Sequence, residues 1–135
     1  MRFVIDANIL FAALIASEGS TRELLFSPAL ELISPSFVQE EIKKYRSFIA
    51  QKTGCEEKEI DQALHIILSR IKIIPFEKYA GYLEEAMNIS PDQKDREYLA
   101  LAIAFDCPLW SHDKELQQQM RVKILTTENI IRLLS

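Results

Sequence analysis

The chain has 135 residues, about the length of one folded domain, and we expect residues 1–135 to form a single domain. Hydrophobic residues make up 48% and charged residues 27% of the chain, which excludes an intrinsically disordered protein. The net charge of -4 argues against a protein that coats nucleic acid by bulk charge, but it leaves room for an enzyme that handles nucleic acid through bound cations.

The first predicted strand, Arg2–Asp6, leads directly into the apolar segment Ala7–Ala16. That segment is apolar enough to pass for part of a signal peptide, but it is too short to span a bilayer and little positive charge precedes it. Cys55 and Cys107 lack metal-ligand spacing, which is typical of a reduced protein. We therefore expect a cytoplasmic protein that is not attached to a membrane.

Four further apolar runs are typical of strands. These are Glu31–Ser34, Lys72–Pro75, Pro108–Ser111 and Lys123–Leu125. Longer segments with helical spacing separate the strands, and this alternation requires crossover connections between parallel strands. The sequence therefore predicts an α/β fold, a mostly parallel sheet in a three-layer α/β/α sandwich.

Serine followed by proline occurs at positions 34–35 and 90–91, and this pair is typical of a capping residue before the first residue of a helix. The first pair predicts a helix through about Gln51, and the second has Gln93 at capping-box spacing. Apolar spacing predicts a helix from about Glu56 to Arg70, and Thr126 is placed to cap the last helix. We expect four apolar residues of the last helix to close the core: Ile130, Ile131, Leu133 and Leu134.

Two aspartates follow predicted strands at their carboxyl ends. Asp6 lies between an apolar strand and an apolar helix, where a lone buried carboxylate is costly unless it is paired, protonated or bound to metal. Asp113 follows the fourth strand and precedes a predicted helix, Lys114–Met120. Either aspartate can instead be a simple N-cap. Ligand sites of open parallel sheets form beyond the carboxyl ends of the strands, which favours a shared crevice.

Helical geometry separates two pairs of acids. Relative to the apolar face between positions 38 and 49, Glu41 lies about 70° from the centre and Glu40 lies nearly opposite, toward solvent. Asp95 lies near the centre of the apolar face that continues to position 105. Asp92 falls in the first turn, where the helix dipole favours an acid without any catalytic role. Glu41 and Asp95 are therefore the acids that we expect to face the site.

Converging carboxylates repel one another, and a hard divalent cation removes that penalty. Oxygen ligands suit Mg²⁺ or Mn²⁺, which activate water and stabilise charge on a phosphodiester. No His/Cys cluster and no glycine-rich phosphate loop offers a competing chemistry. The candidate ligands are Asp6, Glu41, Asp95 and Asp113.

Four short segments resemble the motifs of the PIN domain family, in order and over essentially the whole chain. They are VIDAN at Val4–Asn8, VQEEI at Val38–Ile42, DREYLALAIA at Asp95–Ala104 and WSHD at Trp110–Asp113. Each motif is short, but their order along the chain and their placement at strand and helix ends together make the resemblance specific. The resemblance implies a five-stranded parallel sheet of order 3-2-1-4-5 and a divalent-metal-dependent ribonuclease that hydrolyses RNA phosphodiester bonds.

The resemblance also implies roles and partners. It assigns metal binding and catalysis to Asp6, Glu41, Asp95 and Asp113. It gives Asn8 and Ser111 supporting roles, and Asp92 falls near a position that is sometimes acidic, so its role stays open. Many small PIN proteins are toxins paired with an antitoxin (the VapC type), others process RNA, and the family often forms homodimers. We therefore expect an RNA substrate, an antitoxin partner and a homodimer.

Other functions fit the acids less well. A phosphoacceptor receiver domain needs adjacent acids after the first strand and a lysine after the last strand, and a haloacid-dehalogenase-type phosphatase needs a second aspartate where Asn8 stands. His112 is a weaker acid–base candidate, because its strand-end position turns it away from its neighbour Asp113. The remaining alternative is a PIN-fold RNA-processing or interaction module without catalysis.

Overall fold

The computed structural model describes residues 1–16 and 19–135, and its centre is a parallel β-sheet. The strands are β1 (Arg2–Ile5), β2 (Glu31–Pro35), β3 (Ile71–Ile74), β4 (Leu109–Trp110) and β5 (Ile124–Leu125). The sheet order is β3-β2-β1-β4-β5, and every pairing is parallel. This order confirms the predicted five-stranded α/β fold.

Helices connect the strands. The α-helices are α1 (Ala7–Ile15), α2 (Ser20–Leu25), α3 (Phe37–Thr53), α4 (Glu57–Leu68), α5 (Leu83–Ile89), α6 (Arg96–Phe105) and α7 (Thr127–Leu134). Short 3-10 helices cover Phe76–Lys78, Ala80–Tyr82, Gln93–Asp95 and Lys114–Gln118. None of the helices in residues 1–16 and 19–135 is long and apolar enough to cross a bilayer.

The central strands are buried on both faces. Val4 and Ile5 of β1 are completely buried, and Leu32 and Ile33 of β2 are nearly so. Helices α1, α3 and α4 contact one another, while α6 packs with α5 and against β1 and β2. A strand covered by helix layers on both faces needs apolar residues on both sides, which explains the continuous apolar runs in the sequence.

Strand β1 is the point where the strand order reverses. It pairs with β2 on one side and with β4 on the other, where Ile5 lies opposite Trp110. The chain therefore leaves β1 and β4 at adjacent points of the same sheet edge. Crossover connections diverge on either side of such a point and leave a crevice beyond the strand ends. The residues that follow Ile5 and Trp110 lie at this crevice.

The predicted helix start at Pro35 is wrong. Pro35 is the last residue of β2 and lies opposite Ile74 of β3, and α3 begins two residues later at Phe37. Ser34 is fully buried in the sheet, and its hydroxyl donates to the Ile5 carbonyl at 2.9 Å. Sheet pairing therefore extends through the Ser-Pro pair, and the serine bonds across the sheet instead of capping a helix.

The predicted helix start at Ser90-Pro91 is also wrong. Ser90 ends α5, and its hydroxyl donates to the backbone carbonyl of Asp92 instead of capping a following helix. The 3-10 helix Gln93–Asp95 comes next, and α6 starts only at Arg96. A local turn between Ser90 and Asp92 thus competes with the capping box.

The last third of the chain departs from the expectation in two places. The segment after Asp113 is a 3-10 helix that ends at Gln118, not a helix to Met120. In α7, Thr126 caps the helix and Ile130 is fully buried, as predicted. The other three residues expected in the core are exposed: Ile131, Leu133 and Leu134. Ile131 lies about 100° from Ile130 around the helix axis, whereas Leu133 and Leu134 lie on the side of Ile130 but in the last turn of α7, where they are exposed.

Candidate functional site

Asp6 lines the crevice and is only 4% exposed. Its Oδ1 accepts a hydrogen bond from the Ile9 amide at 3.1 Å, which caps α1. Its Oδ2 accepts from the Ser111 hydroxyl at 2.6 Å. The capping and site interpretations of Asp6 are therefore compatible, because each carboxylate oxygen has a different partner.

The loop after β4 brings Ser111 and Asp113 to Asp6. Ser111 is fully buried, and its Oγ also accepts from the Asp113 amide at 3.1 Å, which turns the chain sharply. Asp113 Oδ1 accepts from the Glu115 amide at 2.9 Å and caps the 3-10 helix that follows. One serine hydroxyl thus connects the aspartate after β1 to the backbone of the aspartate after β4.

Glu41 of α3 is half-buried and lines the same crevice, whereas its neighbour Glu40 is exposed to solvent. This is the arrangement that the helical spacing predicts. Glu41 Oε1 accepts a short hydrogen bond from the Tyr98 hydroxyl. Because Tyr98 is buried in α6, this contact joins helices from the two layers across the sheet edge.

Asp95 lies at the crevice for a different reason than its helical spacing suggests. It is the N-cap residue of α6, not a residue within the helix, and its side chain makes no capping hydrogen bond. Asp92, three residues earlier and directly before the 3-10 helix, also lines the crevice, and its Oδ2 lies 3.9 Å from Lys94 Nζ. Asp95 is half-buried and lines the crevice.

Burial and mutual repulsion raise the pKa values of these acids. Burial is the main cause that raises the pKa of Asp6 to about 6, and the negative charges of Glu41 and Asp113 raise it further. Burial, followed by the charges of Asp113 and Asp6, raises the pKa of Asp95 to about 7. Burial also raises the pKa of Glu41, which the Tyr98 hydrogen bond lowers in part. Asp95 is therefore partly protonated at neutral pH, and Asp6 takes up its proton just below neutral pH, unless a positive charge is present.

The crevice has a volume of about 600 Å³ and two kinds of wall. The predicted acids and Asn8 line one part of it, with Asn8 exposed at the rim. Aromatic side chains of α1 and α3 line the other part, notably Phe11, Tyr45 and Phe48. We call the first part the acidic cleft. A volume of this size lies within the usual range of ligand pockets.

His112 points away from the acidic cleft. Its Nε2 lies 2.7 Å from the Thr127 hydroxyl, which also accepts from Trp110 Nε1 at 3.0 Å and lies 3.0 Å from the Thr21 hydroxyl. These contacts join the loop after β4 to α2 and α7. His112 therefore supports the loop that carries Asp113, and its imidazole is not a wall of the acidic cleft.

Sequence reasoning missed two contributors to the acidic cleft. The apolar spacing of α6 marks Tyr98 only as a core residue, although it lies three positions after Asp95 and so on the same helical side. Lys94 reaches the cleft from the 3-10 helix before α6, and its charge lowers the pKa values of Glu41 and Asp95. Neither residue belongs to a recognisable short motif.

Among the residues that the structure describes, no three Asp, Glu, His or Cys side chains form a group that could hold a metal ion as they stand. The acids share one cleft and influence one another's pKa values, but a common ligand would require their side chains to move closer. The donor set itself consists of carboxylate oxygens and the Ser111 hydroxyl, which suits hard cations such as Mg²⁺ and Mn²⁺.

The model of the PIN domain family matches residues 4–135 of this chain. Similar folds occur in three solved structures of low sequence identity. One is the structure of VapBC2 from Rickettsia felis bound to a DNA fragment from the VapBC2 promoter. It matches with a TM-score of 0.75 at 20% identity, over 93% of this chain and 98% of that one. The PAE2754 protein from Pyrobaculum aerophilum has a TM-score of 0.74 at 18% identity, over 99% of this chain and 90% of that one.

A toxin-antitoxin complex from Klebsiella pneumoniae has a TM-score of 0.64 at 16% identity, and the match covers 93% of this chain and 97% of that one. A comparison with curated protein sequences found no significant match. At these identities the solved structures show a shared fold.

Proposed function

Because this chain belongs to the PIN domain family, whose model matches residues 4–135, we propose that it is a divalent-metal-dependent ribonuclease. The acidic cleft is its active site, and the proposed reaction is hydrolysis of an RNA phosphodiester bond. The observation that carries the proposal is the convergence on one cleft of four acids that lie far apart in the sequence: Asp6, Glu41, Asp95 and Asp113.

The raised pKa values of the cleft acids support a bound cation, because a positive charge would stabilise their ionised forms. Asp6 and Asp95 have pKa values of about 6 and 7, so without a counter-charge each is held partly protonated near neutral pH. Mg²⁺ or Mn²⁺ would be held by Asp6, Asp95 and Asp113, with Glu41 as a direct or water-mediated ligand. The bound cation would activate water and neutralise charge on the phosphodiester.

The protein's own groups position the reactants. Ser111 and the Ile9 amide hold the two oxygens of Asp6, and the Glu115 amide holds Oδ1 of Asp113. Tyr98 holds one oxygen of Glu41 and leaves the other to orient the attacking water. That water adds hydroxide to phosphorus, one phosphorus–oxygen ester bond breaks, and the departing oxygen takes up a proton. Asn8 at the rim is placed to contact the RNA backbone.

Cleavage of a generic RNA tests the proposal directly. We expect wild-type protein to cut the RNA with Mn²⁺ and to stop when a chelator is added. Asp6→Asn is expected to abolish Mn²⁺-dependent cleavage while the fold stays intact. The matched control is Asp61→Asn, which removes an exposed acid of α4 outside the cleft and is expected to cleave normally. Unchanged cleavage by Asp6→Asn would contradict the assignment.

The alternative is a PIN-fold module that binds or processes RNA without its own catalysis. It predicts that Mn²⁺ binding and RNA cleavage are not coupled, so titration of both with the same protein separates the two functions. The raised pKa values of Asp6 and Asp95 favour the catalytic function, since burying acids that do nothing costs stability.

We extend the proposal to biological context. Two of the similar structures contain toxin–antitoxin proteins, which supports a toxin that pairs with an antitoxin. A homodimer would cover part of the apolar surface that Ile131 and Leu133 expose on α7. Cys55 and Cys107 are both free, which suits the cytoplasm. Light scattering of the purified protein tests the dimer, and a small neighbouring gene whose product inhibits cleavage tests the antitoxin.

A further inference from the structure

We propose that Thr127, the first residue of α7, holds the loop after β4 from outside the acidic cleft and thereby places Asp113 for catalysis. The inference rests on the proposed nuclease function and adds a residue that does not line the cleft. Thr127 is only 6% exposed, and its hydroxyl contacts the loop. It is therefore a positioning residue, which acts through the loop and not on the RNA itself.

Successive side chains of the loop face two different sides. Ser111 donates to Asp6 at 2.6 Å, and Asp113 lines the acidic cleft. Trp110 and His112, which alternate with them, instead contact α7. An extended backbone points successive side chains to opposite sides. The positions of the two cleft residues therefore depend on how the two alternating residues are held from behind.

A single oxygen atom holds both alternating residues. Thr127 Oγ1 accepts from Trp110 Nε1 at 3.0 Å and lies 2.7 Å from His112 Nε2. It also lies 3.0 Å from the Thr21 hydroxyl of α2. A threonine hydroxyl has one proton and two lone pairs, so these three contacts use its full hydrogen-bonding capacity. Since Trp110 takes one lone pair, the hydroxyl donates to one of the other partners and accepts from the other.

The position of Thr127 is itself well determined. Its neighbour Thr126 forms a reciprocal capping box with Asn129, whose two hydrogen bonds measure 3.0 and 3.2 Å and fix the first turn of α7. Just before this turn, the Leu125 carbonyl of β5 accepts from the Ser111 amide at 3.0 Å. The end of β5 and the start of α7 are therefore a rigid support for the loop.

Loss of the Thr127 oxygen would remove the outer anchor of the loop. The buried indole N–H of Trp110 would lose its acceptor, and the exposed His112 would be free to move. Asp113 follows His112 directly, so its carboxylate would lose a defined position. A displacement of about 1 Å at a reacting centre costs about a hundredfold in rate. The geometry of the acidic cleft thus depends on a residue of α7.

Kinetics of RNA cleavage with Mn²⁺ test the proposal. Thr127→Val replaces the hydroxyl by a methyl group, and we expect kcat to fall about tenfold to a hundredfold with little change in KM. Thr127→Ser keeps the oxygen and is expected to remain within about threefold of wild type. The matched control is Thr21→Val, which removes a hydroxyl bonded to the same oxygen but leaves both loop contacts in place. It is expected to remain within about twofold of wild type.

Hydrogen exchange reports on the loop without any cleavage. Trp110 is the single tryptophan of the sequence, so its indole proton gives one identifiable NMR signal. The Asp113 amide donates to Ser111 Oγ at 3.1 Å. In metal-free protein we expect Thr127→Val to accelerate exchange of both protons about tenfold and Thr21→Val to leave the Asp113 amide unchanged. Unchanged exchange of the Asp113 amide in Thr127→Val would overturn the proposal.

His112→Ala keeps the proposal testable if Thr127→Val does not fold, because His112 is exposed. It removes one of the two loop contacts of Thr127, and we expect kcat to fall about threefold to tenfold. In the Thr127→Val background the same substitution should cause no further loss, since both act through one contact. Losses that simply add would show that the two residues act independently, which would overturn the proposal.

The outcomes separate this proposal from the nuclease proposal. If wild-type protein cleaves RNA and Thr127→Val keeps the wild-type kcat, the positioning role is overturned and the nuclease proposal stands. If wild-type protein never cleaves, the nuclease proposal fails, and exchange of the Asp113 amide alone decides whether Thr127 holds the loop. A loss that Thr127→Ser does not restore, or that Thr21→Val shares, also overturns the positioning role.

Discussion

Two groups of carboxylates lie on different sides of α3 and differ in what balances their charge. Toward α4, Arg46 donates to both oxygens of Asp61 at 2.6 Å and lies 3.9 Å from Glu57. Toward the acidic cleft, Asp6 and Glu41 instead accept hydrogen bonds from the hydroxyls of Ser111 and Tyr98. A bidentate guanidinium neutralises a carboxylate, whereas a hydroxyl only orients it.

The two groups also differ in burial. The acids beside Arg46 are exposed, have a cation and need no further partner. Among the cleft acids Asp6 is buried and Glu41 and Asp95 are half-buried, and burial together with repulsion raises the pKa values of Asp6 and Asp95 to about 6 and 7. Under the proposed function, a bound cation would relieve this repulsion. Arg46 is thus paired with acids of α4.

The largest expected effect is on cleavage. Asp95→Asn removes a carboxylate that makes no capping hydrogen bond to α6. We expect a loss of at least about a hundredfold in kcat/KM with Mn²⁺, because loss of a metal ligand would remove several kcal/mol of transition-state stabilisation. Asp61→Asn serves as the control with an acid from the other side of α3. Similar losses in both variants would remove the distinction between the two groups.

The second effect is on stability. Unlike most substitutions, Asp6→Asn is expected to stabilise the folded protein. The pKa of Asp6 is about 6 in the folded protein against an ordinary 3.8, so the folded state binds the extra proton between these values. The free energy of unfolding therefore falls as pH rises through that window. Asp6→Asn removes this loss, and we expect the metal-free variant to gain about 1–3 kcal/mol at pH 7.

Urea unfolding in the presence of EDTA measures this gain. At about pH 4 the difference between Asp6→Asn and wild type should nearly vanish, because folded Asp6 is then protonated in the wild type as well. Asp61→Asn should lower stability slightly at neutral pH, since it breaks the pair with Arg46. A destabilised Asp6→Asn protein at pH 7 would show that the charge of Asp6 is already compensated.

The third effect is on metal affinity. Protons compete with Mn²⁺ for Asp6 and Asp95, whose pKa values are about 6 and 7. Below each of these pKa values, Mn²⁺ must displace a proton from that carboxyl, so the apparent affinity for Mn²⁺ should fall about tenfold per pH unit for each proton displaced. Calorimetric titration between about pH 5.5 and pH 8 measures it. Asp95→Asn should bind more weakly and lose the part of this dependence near neutral pH. An affinity that does not change over this range would contradict the assignment.

The smallest effect concerns a hydroxyl. Tyr98→Phe keeps the ring and removes the hydrogen bond to Glu41, and we expect kcat/KM to fall about threefold to tenfold. Tyr79→Phe is the matched control, because its hydroxyl donates at 2.8 Å to Glu97 away from the acidic cleft. Equal activity in the two variants would mean that Tyr98 contributes packing alone.

Much of the fold could be predicted because strand periodicity and apolar spacing are local properties. The five strands and the helix Glu57–Leu68 follow from them, within one or two residues at their ends. The errors occurred where two local interactions compete. At Ser34-Pro35 sheet pairing prevailed over helix capping, and at Ser90-Pro91 a turn around Asp92 did so. The outcome of such competition depends on residues that are distant in the chain or on backbone geometry that composition does not encode.

The sequence by itself determined which acids lie near the point where the strand order reverses. It specifies the residues that follow β1 and β4 and the helical side of Glu41. Only the tertiary structure decided how those acids are held: that Ser111 bonds Asp6, that Tyr98 bonds Glu41, and that Asp95 precedes its helix. It also decided that aromatic side chains of α1 and α3 adjoin them. The physical reason is that burial, repulsion and pKa depend on distances across the sheet, and packing alone sets those distances.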